Sequence, residues 1–440
     1  MPSSLRILLG LLSLWLTACP VVTEDSARSR PAYQRGPTLR YEDYVYVANI
    51  HSVQFHQLEV AESYPVLYLG RNEPLELEFD ELLPEDLRES EFYVDLINCD
   101  ANWNPSSLLP IEFYEGFTQD RIDLFQRSEF TKMTYVHYTY RFPQENEFFK
   151  MSGNYLLKVY RGNNPDDLVL TRRFVVVDRR IPISSKYLLG ERIERERLTE
   201  FSFELTAPGL QIFNPAQDLD VRVLQNFRWD NAVRIPQPRF YGDNRYEYYI
   251  DFLKSFDSGN EFRRHLIEST RLYSESVQDI EERPQFFDVF LYPDQPRARN
   301  VFQTRRDRNG SFGIRVLEWQ RPHIQADYVR NHFALEVDAP LPPDDKVFVF
   351  GRFSDWQLMP AYQMRYDSLR RRYEASFFLK QGIYDYQYVV RHGDDPWPDP
   401  RPLEGPHTES ENFYSILVYH RQPGDRSDRL LGYQPLNYYE

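Results

Sequence analysis

Cysteine is nearly absent from this chain: the 440 residues contain two, at 19 and 99. At most one intramolecular disulfide is available, so a disulfide-built fold is excluded. Glycine is sparse as well, at 18 residues, and neither a P-loop nor a dinucleotide fingerprint occurs, which removes the backbone cradles that phosphate cofactors need. Lysine stands only at positions 132, 150, 158, 186, 254, 346 and 380, and acids outnumber bases 67 to 52, for a formal charge of −15. A nucleic-acid partner is therefore not expected, because binding phosphates takes a concentrated Lys/Arg field. The excess of arginine over lysine reads as the signature of a GC-rich genome rather than of a site. No apolar run is long enough to span a bilayer; Ile7 to Leu16 is too short.

That short run has another meaning. Residues 1–18 carry one early cation, Arg6, then the apolar stretch, then small residues before Cys19, the layout of a secretory signal. The ending Leu16-Thr17-Ala18-Cys19 resembles a bacterial lipobox, whose cysteine is acylated and becomes the first mature residue. Cys19 is thus the expected lipidation site, with acyl chains rather than a helix as the membrane anchor. Cys99 then lacks a partner within the chain and is expected to be a small buried residue. Residues 19–42, rich in Pro, Arg and acids, read as a flexible tether.

What the chain has in abundance is aromatics, at 16%, set in period-two patterns. In "LELEFDEL", Leu75, Leu77 and Phe79 share one face and Glu76, Glu78 and Asp80 the other, which is a half-buried strand. Similar runs recur to the C-terminus, separated by Asn, Gly and Pro turn signals such as Asn104-Pro105 and Gly153-Asn154. The expected fold is all-β: tandem β-sandwich, immunoglobulin-like domains behind the signal and tether. The expected domains are 43–179, 183–330 and 331–421, followed by a tail at 422–440 that folds back through "LLGY". "NEFRRHLIESTRL", 260–272, is left open between helix and strand. Tyr384, Tyr386 and Tyr388 form a stripe on one strand face, expected to pack and to hydrogen-bond at their tips.

Searches for catalytic patterns return nothing. Gly310-Ser311-Phe312-Gly313 has the wrong spacing for a nucleophile elbow. His51 and His56, five apart in a strand, are placed on opposite faces, and no histidine pair with carboxylate support suggests a metal. "DANWNPSSLLPIE", 100–112, opens like a calcium loop but has Pro105 where glycine is needed and Ile111 where a bidentate glutamate is needed; an Asx-turn accounts for it. The acidic "DELLPEDLRESE", 80–91, reads as a solvated loop. No catalytic, cofactor-binding or metal residue and no small-molecule substrate is expected. In "VLQNFRWDNAV" with the two residues before it, 221–233, Val221, Val223, Gln225, Phe227 and Trp229 fall on one side and Arg222, Asn226, Arg228 and Asp230 on the other, with Leu224 the exception, so Phe227 and Trp229 read as core anchors before an Asp230-Asn231 turn.

Several long strings together carry a family resemblance: "FDEL" (79–82), "NCDANWNPSSLLPIEFYEGF" (98–117), "YVHYTYRFP" (135–143), "SGNYLLKVY" (152–160), "VLQNFRWDNA" (223–232), "GNEFR" (259–263), "ADYVRNHF" (326–333), "QGIYDYQYV" (381–389) and "TESENFYSILVYHR" (408–421). Read together they resemble the type 9 secretion system plug protein family of the Bacteroidota and their relatives. One departure is Asn98, where the family pattern leads one to expect a histidine before the cysteine. Separately, "VFVFGRFSDWQ" is similar to the G-x-F-x-x-W turn of glycogen-binding early-set immunoglobulin-like domains, which makes Trp356 a candidate for stacking on sugar.

The resemblance implies a noncatalytic role: a protein at the periplasmic face of the outer membrane that binds and seals the periplasmic end of the type 9 translocon barrel while its lumen is not occupied by its shuttle protein. The second expectation, of a different kind, is a glycan-binding outer-membrane lipoprotein acting through the C-terminal domain.

Overall fold

The computed structural model describes residues 37–71, 73–84, 88–185, 200–251, 255–256, 259–407 and 410–436. Cys19, the signal and all but the last residues of the tether lie outside them. Pro37–Glu440 forms one compact unit, built almost wholly of antiparallel strands that pair into three two-sheet sandwiches.

In the first sandwich, one sheet runs Tyr44–Val45, Leu168–Val177, Gly153–Arg161, Phe92–Cys99, Gln119–Arg121, and Val66–Tyr68 joins Leu168–Val177 in parallel. The facing sheet runs Ile50–Gln57, Leu75–Leu82, Tyr135–Phe142, Leu124–Arg127. The alternation in Leu75–Leu82 does its expected work: Leu75, Leu77 and Phe79 are fully buried between the sheets with Phe92, Tyr138, Phe142 and Phe174. Each such aromatic contributes on the order of 2 kcal/mol of transfer free energy.

The polar face of that strand is only partly solvated. Asp80 and Glu81 are each 1% exposed, so the expectation of a solvated loop from residue 80 is corrected. Asp80 meets Lys380 at 2.6 Å and the Tyr328 hydroxyl at 2.6 Å, both from the C-terminal sandwich. A second sandwich therefore caps the face that alternation alone assigns to water.

The remaining sheets group the strands differently from the expected boundaries. One middle-sandwich sheet is Ile183–Ser185, Glu200–Thr206, Arg245–Asp251, Phe240–Gly242; its partner is Val233–Ile235, Leu219–Gln225, Tyr414–His420, Arg429–Leu436. Strands on both sides of residue 421 thus complete a sheet begun near residue 219. The C-terminal sandwich is inserted between them. Its first sheet is Val277–Glu282, Phe287–Leu291, Tyr328–Glu336, Arg372–Lys380, Arg365–Asp367. Its second centres on Gly382–Arg391, paired with Arg263–Ile267, Phe312–Ile314 and Lys346–Phe350. Strands before residue 330 therefore share a core with strands after it. The segment left open at 260–272 contains the strand Arg263–Ile267. Tyr384, Tyr386 and Tyr388 are buried in this core, and their hydroxyls donate to the Lys380 carbonyl and, twice, to Asp294.

Two local irregularities redirect side chains. Ser52 takes left-handed backbone (φ 51) at a bulge between His51 and Gln54. The extra residue shifts the pleat, so His51 stands opposite Asp80 and His56 opposite Glu76. Both histidines thereby share the polar face, correcting the expected opposition. Farther on, Asn226 and Phe227 both have φ 54, and the strand ends at Gln225. Val221 and Val223 enter the middle core, whereas Leu224, Phe227 and Trp229 lie with Val175, Val177, Leu417 and Tyr419 in the seam against the first sandwich. Phe227 stacks on Tyr64 at 4.4 Å, and Trp229 meets Trp103 edge-on at 4.8 Å. These anchors pack on Leu224's side, not Val223's.

Candidate functional site

Residues 98–117 divide into a tied half and a presented half. The Asp100 carboxylate accepts from the amides of Asn102 and Asn104, 2.8 Å each, closing the Asx-turn. Asn98 accepts from the Ser427 hydroxyl at 2.8 Å, and the Ala101 amide donates to Asp428 at 2.7 Å. This half thus fastens the first sandwich to the loop between the two C-terminal strands. Cys99 is fully buried; burial, with Asp100 adding to it, pushes its thiol up to about 12, so it is no nucleophile at neutral pH.

From Ser107 onward the chain turns outward. The one-turn helix Pro110–Phe113 is closed by Glu112, which accepts from the Leu109 amide at 2.7 Å. Tyr114–Glu115 pairs with Phe148–Phe149. Phe113, Tyr114 and Phe149 point into the core, and the Tyr114 hydroxyl donates to Glu147 at 2.9 Å. Their neighbours face away: Leu109, Ile111, Phe117 and Phe148 are 62%, 72%, 80% and 52% exposed. Within the ladder, Tyr114 and Phe149 turn inward and Glu115 and Phe148 outward, because successive residues of a strand project to opposite sides.

The next stretch supplies both sandwich edges on this side. Gln119–Arg121 borders one sheet and Leu124–Arg127 the other, leaving Leu124 and Phe125 exposed. Phe130, also exposed, stacks on Trp319 at 4.9 Å. Among the described residues, the span 109–148 therefore concentrates exposed large apolar side chains along sheet edges. Large apolar side chains left exposed in one segment make it a candidate protein-binding face, and open edges offer unpaired backbone groups to a partner. The interleaved charges, such as the Arg121–Asp123 pair at 2.6 Å, disfavour edge-to-edge self-association. Nothing in the sequence flagged Leu109, Ile111 or Phe117 beforehand. The only available signal is apolar residues crowded about Pro110 and Gly116 without strand or helix period.

Trp356, the sugar-stacking candidate, follows a short 3-10 turn at Arg352–Ser354. Its ring carries the Arg228 guanidinium at 4.9 Å and meets Phe350 and Phe262 at 5.5 and 6.0 Å. One face of the ring is thus taken by the protein's own guanidinium. The structure brings Trp356, half-buried, together with the Phe227–Arg228 segment.

A family profile described as "Type 9 secretion system plug protein 1st domain" matches residues 50–178, the first sandwich and the whole apolar edge. A crystal structure of a hypothetical protein from Parabacteroides merdae ATCC 43184 is similar over 91% of this chain and 100% of its own, at 30% identity and TM-score 0.81. Salmonella alpha-2-macroglobulin reacted with methylamine matches at 10% identity and TM-score 0.18, covering 92% of this chain and 24% of its own, and carries no argument. No curated protein matches the chain.

Proposed function

This chain belongs to the type 9 secretion system plug family, and from that membership we propose that it is a noncatalytic component of the secretion system that docks on the periplasmic end of the outer-membrane translocon barrel and seals it. The observation that carries the reading is a coincidence of place: the segment matched to the family, 50–178, is the one that concentrates exposed Leu109, Ile111, Phe117, Phe125 and Phe148. A seal needs complementary area with apolar anchors and no tuned residue. It also needs a body that does not deform, and the buried polar seams supply one. Besides Lys380–Asp80, Arg172 meets Asp355 at 3.1 Å, Arg352 donates to the Phe55 carbonyl at 3.2 Å, and the Tyr135 hydroxyl donates to the Ala326 carbonyl at 2.8 Å.

In this reading the protein sits at the periplasmic face of the outer membrane, held by acyl chains on Cys19, which raises its local concentration at the barrel. Replacing Cys19 with alanine is expected to move the protein from the membrane to the soluble periplasmic fraction; continued membrane retention after a carbonate wash would remove the anchor from the account. For docking, the protein isolated from outer membranes is expected to carry the barrel subunit with it. Phe117→Asp with Phe148→Asp should lower that capture about tenfold or more. Because both side chains are exposed, the unfolding free energy should move by no more than about 0.5 kcal/mol each. Undiminished capture by the double variant would place the contact elsewhere.

A further inference from the structure

The outward face of the first sandwich's second sheet carries a cluster that the docking reading does not use. In register, His56 stands opposite Glu76, Gln54 opposite Glu78, and Asp80 opposite His137, so these side chains share one face across three strands. They line a cleft of about 330 Å³ whose far wall is C-terminal sandwich, including Gly313, His323 and Lys380. One ligand atom from each of His56, Glu76 and Glu78 lies within 4.8 Å of the other two. The His56 Nδ1 sits 3.0 Å from the Gln57 carbonyl. A carbonyl can only accept, so Nδ1 carries the proton. That leaves Nε2, 3.4 Å from Glu78 Oε2, as the atom directed at the carboxylates. The supporting contacts have the form that orients metal ligands: imidazole Nδ1–H on a carbonyl, and each ligating carboxylate held by a further group. His137 holds Glu78 through Nε2 at 3.3 Å while its Nδ1 rests on Asp80 at 2.7 Å, and Arg141 holds Glu76.

We propose that His56, Glu76 and Glu78 form a binding site for a divalent transition-metal cation of the zinc class, with the cleft supplying water as the remaining ligand. One borderline nitrogen and two carboxylate oxygens suit Zn²⁺ better than Ca²⁺ or Mg²⁺, which take oxygen ligands only. Charge permits it: Glu76, Glu78 and Asp80 face Arg141, His137 and Lys380, Glu59 lines the same cleft, and the cleft's two further cations, Arg308 and Arg315, are paired with Glu62 and Glu268. The cation then takes the place of the proton shared between His56 and Glu78. His137 is a positioning residue that keeps Glu78 aimed at the ion. The site owes its existence to the Ser52 bulge, which brings His56 into line with both glutamates.

The test is a zinc titration of the purified full chain, stripped with chelator and dialysed, in competition with a chromophoric chelator; cobalt absorption in the visible reports the ligand set. One saturable zinc equivalent per chain is expected. His56→Gln and Glu78→Gln should each weaken it tenfold or more, and His392→Gln, an exposed histidine between Asp345 and Asp399, should leave it unchanged. Glu76→Gln, whose Arg141 partner is half exposed, serves if either of the first two fails to fold, with the unfolding midpoint as the check. Absence of saturable zinc binding in the wild type, or unaltered binding in a folded His56, Glu76 or Glu78 variant, overturns the proposal.

Discussion

Lys380 is 1% exposed, and its ammonium bridges Asp80 and the His323 carbonyl at 2.6 Å each. Burial alone would raise Asp80's carboxyl, but Lys380 and His137 more than offset it and hold it below the usual range. Removing one partner of such a pair leaves a charge buried without compensation, so Lys380→Met is expected to cost about 3–5 kcal/mol in urea unfolding. A loss near 1 kcal/mol would mean that water reaches Asp80. His265 gives a second check of burial. Complete burial pulls it down to about 4, against Asn331 and Asp294, which pull the other way; its nitrogens sit on Asn331 at 2.8 Å and Ser276 at 3.1 Å. The unfolded chain takes the proton near its ordinary value of 6.5 and the folded chain resists it, so stability falls as pH drops from 6.5 toward 4. Between pH 7 and pH 5 this residue should account for about 2 kcal/mol of acid destabilisation, absent in His265→Gln; equal slopes in the two proteins would show His265 to be hydrated. Neither residue could be singled out in the sequence. Lys380 ends an ordinary amphipathic string, "RRYEASFFLK", and its partner lies 300 residues away. His51 and His56 show the same limit more finely, since one left-handed serine reverses a face assignment that the period-two rule makes with confidence.

Strands were legible because each alternates locally; which strands pair was not, because pairing is a contact between distant segments. "LDVRVLQ" and "YSILVYH" each read as a strand, yet nothing in either identifies the other as its antiparallel neighbour from Leu219↔His420 to Gln225↔Tyr414. The final strand, Arg429–Leu436, which holds the "LLGY" through which the tail was expected to fold back, is half of a hairpin with Tyr414–His420. Truncation tests this pairing. A chain ending at Glu411 loses two of the four strands in that sheet, and with them Ile416, Leu417, Val418 and Leu430, so that Val221, Val223 and Leu224 are opened to water. It should be degraded rapidly by protease where the full chain is resistant. A truncated chain with an unchanged proteolysis pattern would contradict the inserted arrangement. The apolar edge was illegible for another reason: exposure is a property of what fails to pack, and the pattern about Pro110 and Gly116 has no period from which a buried face could be subtracted.

For the whole molecule, the period-two aromatic strands pointed to an all-β body and the long strings from "FDEL" to "TESENFYSILVYHR" to the plug family, and the arrangement of that body supplies what the family reading needs. The three sandwiches meet through buried or half-buried side chains at each seam: Phe227 on Tyr64 and Trp229 on Trp103 between first and middle, Lys380 and Tyr328 on Asp80 between first and C-terminal, Arg228 on Trp356 between middle and C-terminal. Leu109, Ile111, Phe117 and Phe148 are exposed on the first sandwich and are not among the side chains that hold these seams, so a partner can take them without prying the body apart. The central claim is that this edge faces the barrel. A cryo-EM map of the complex isolated from native outer membranes tests it directly: the account predicts Leu109, Ile111, Phe117 and Phe148 packed against the periplasmic mouth of the barrel, and a map with that edge turned to open periplasm while the protein is bound would contradict it.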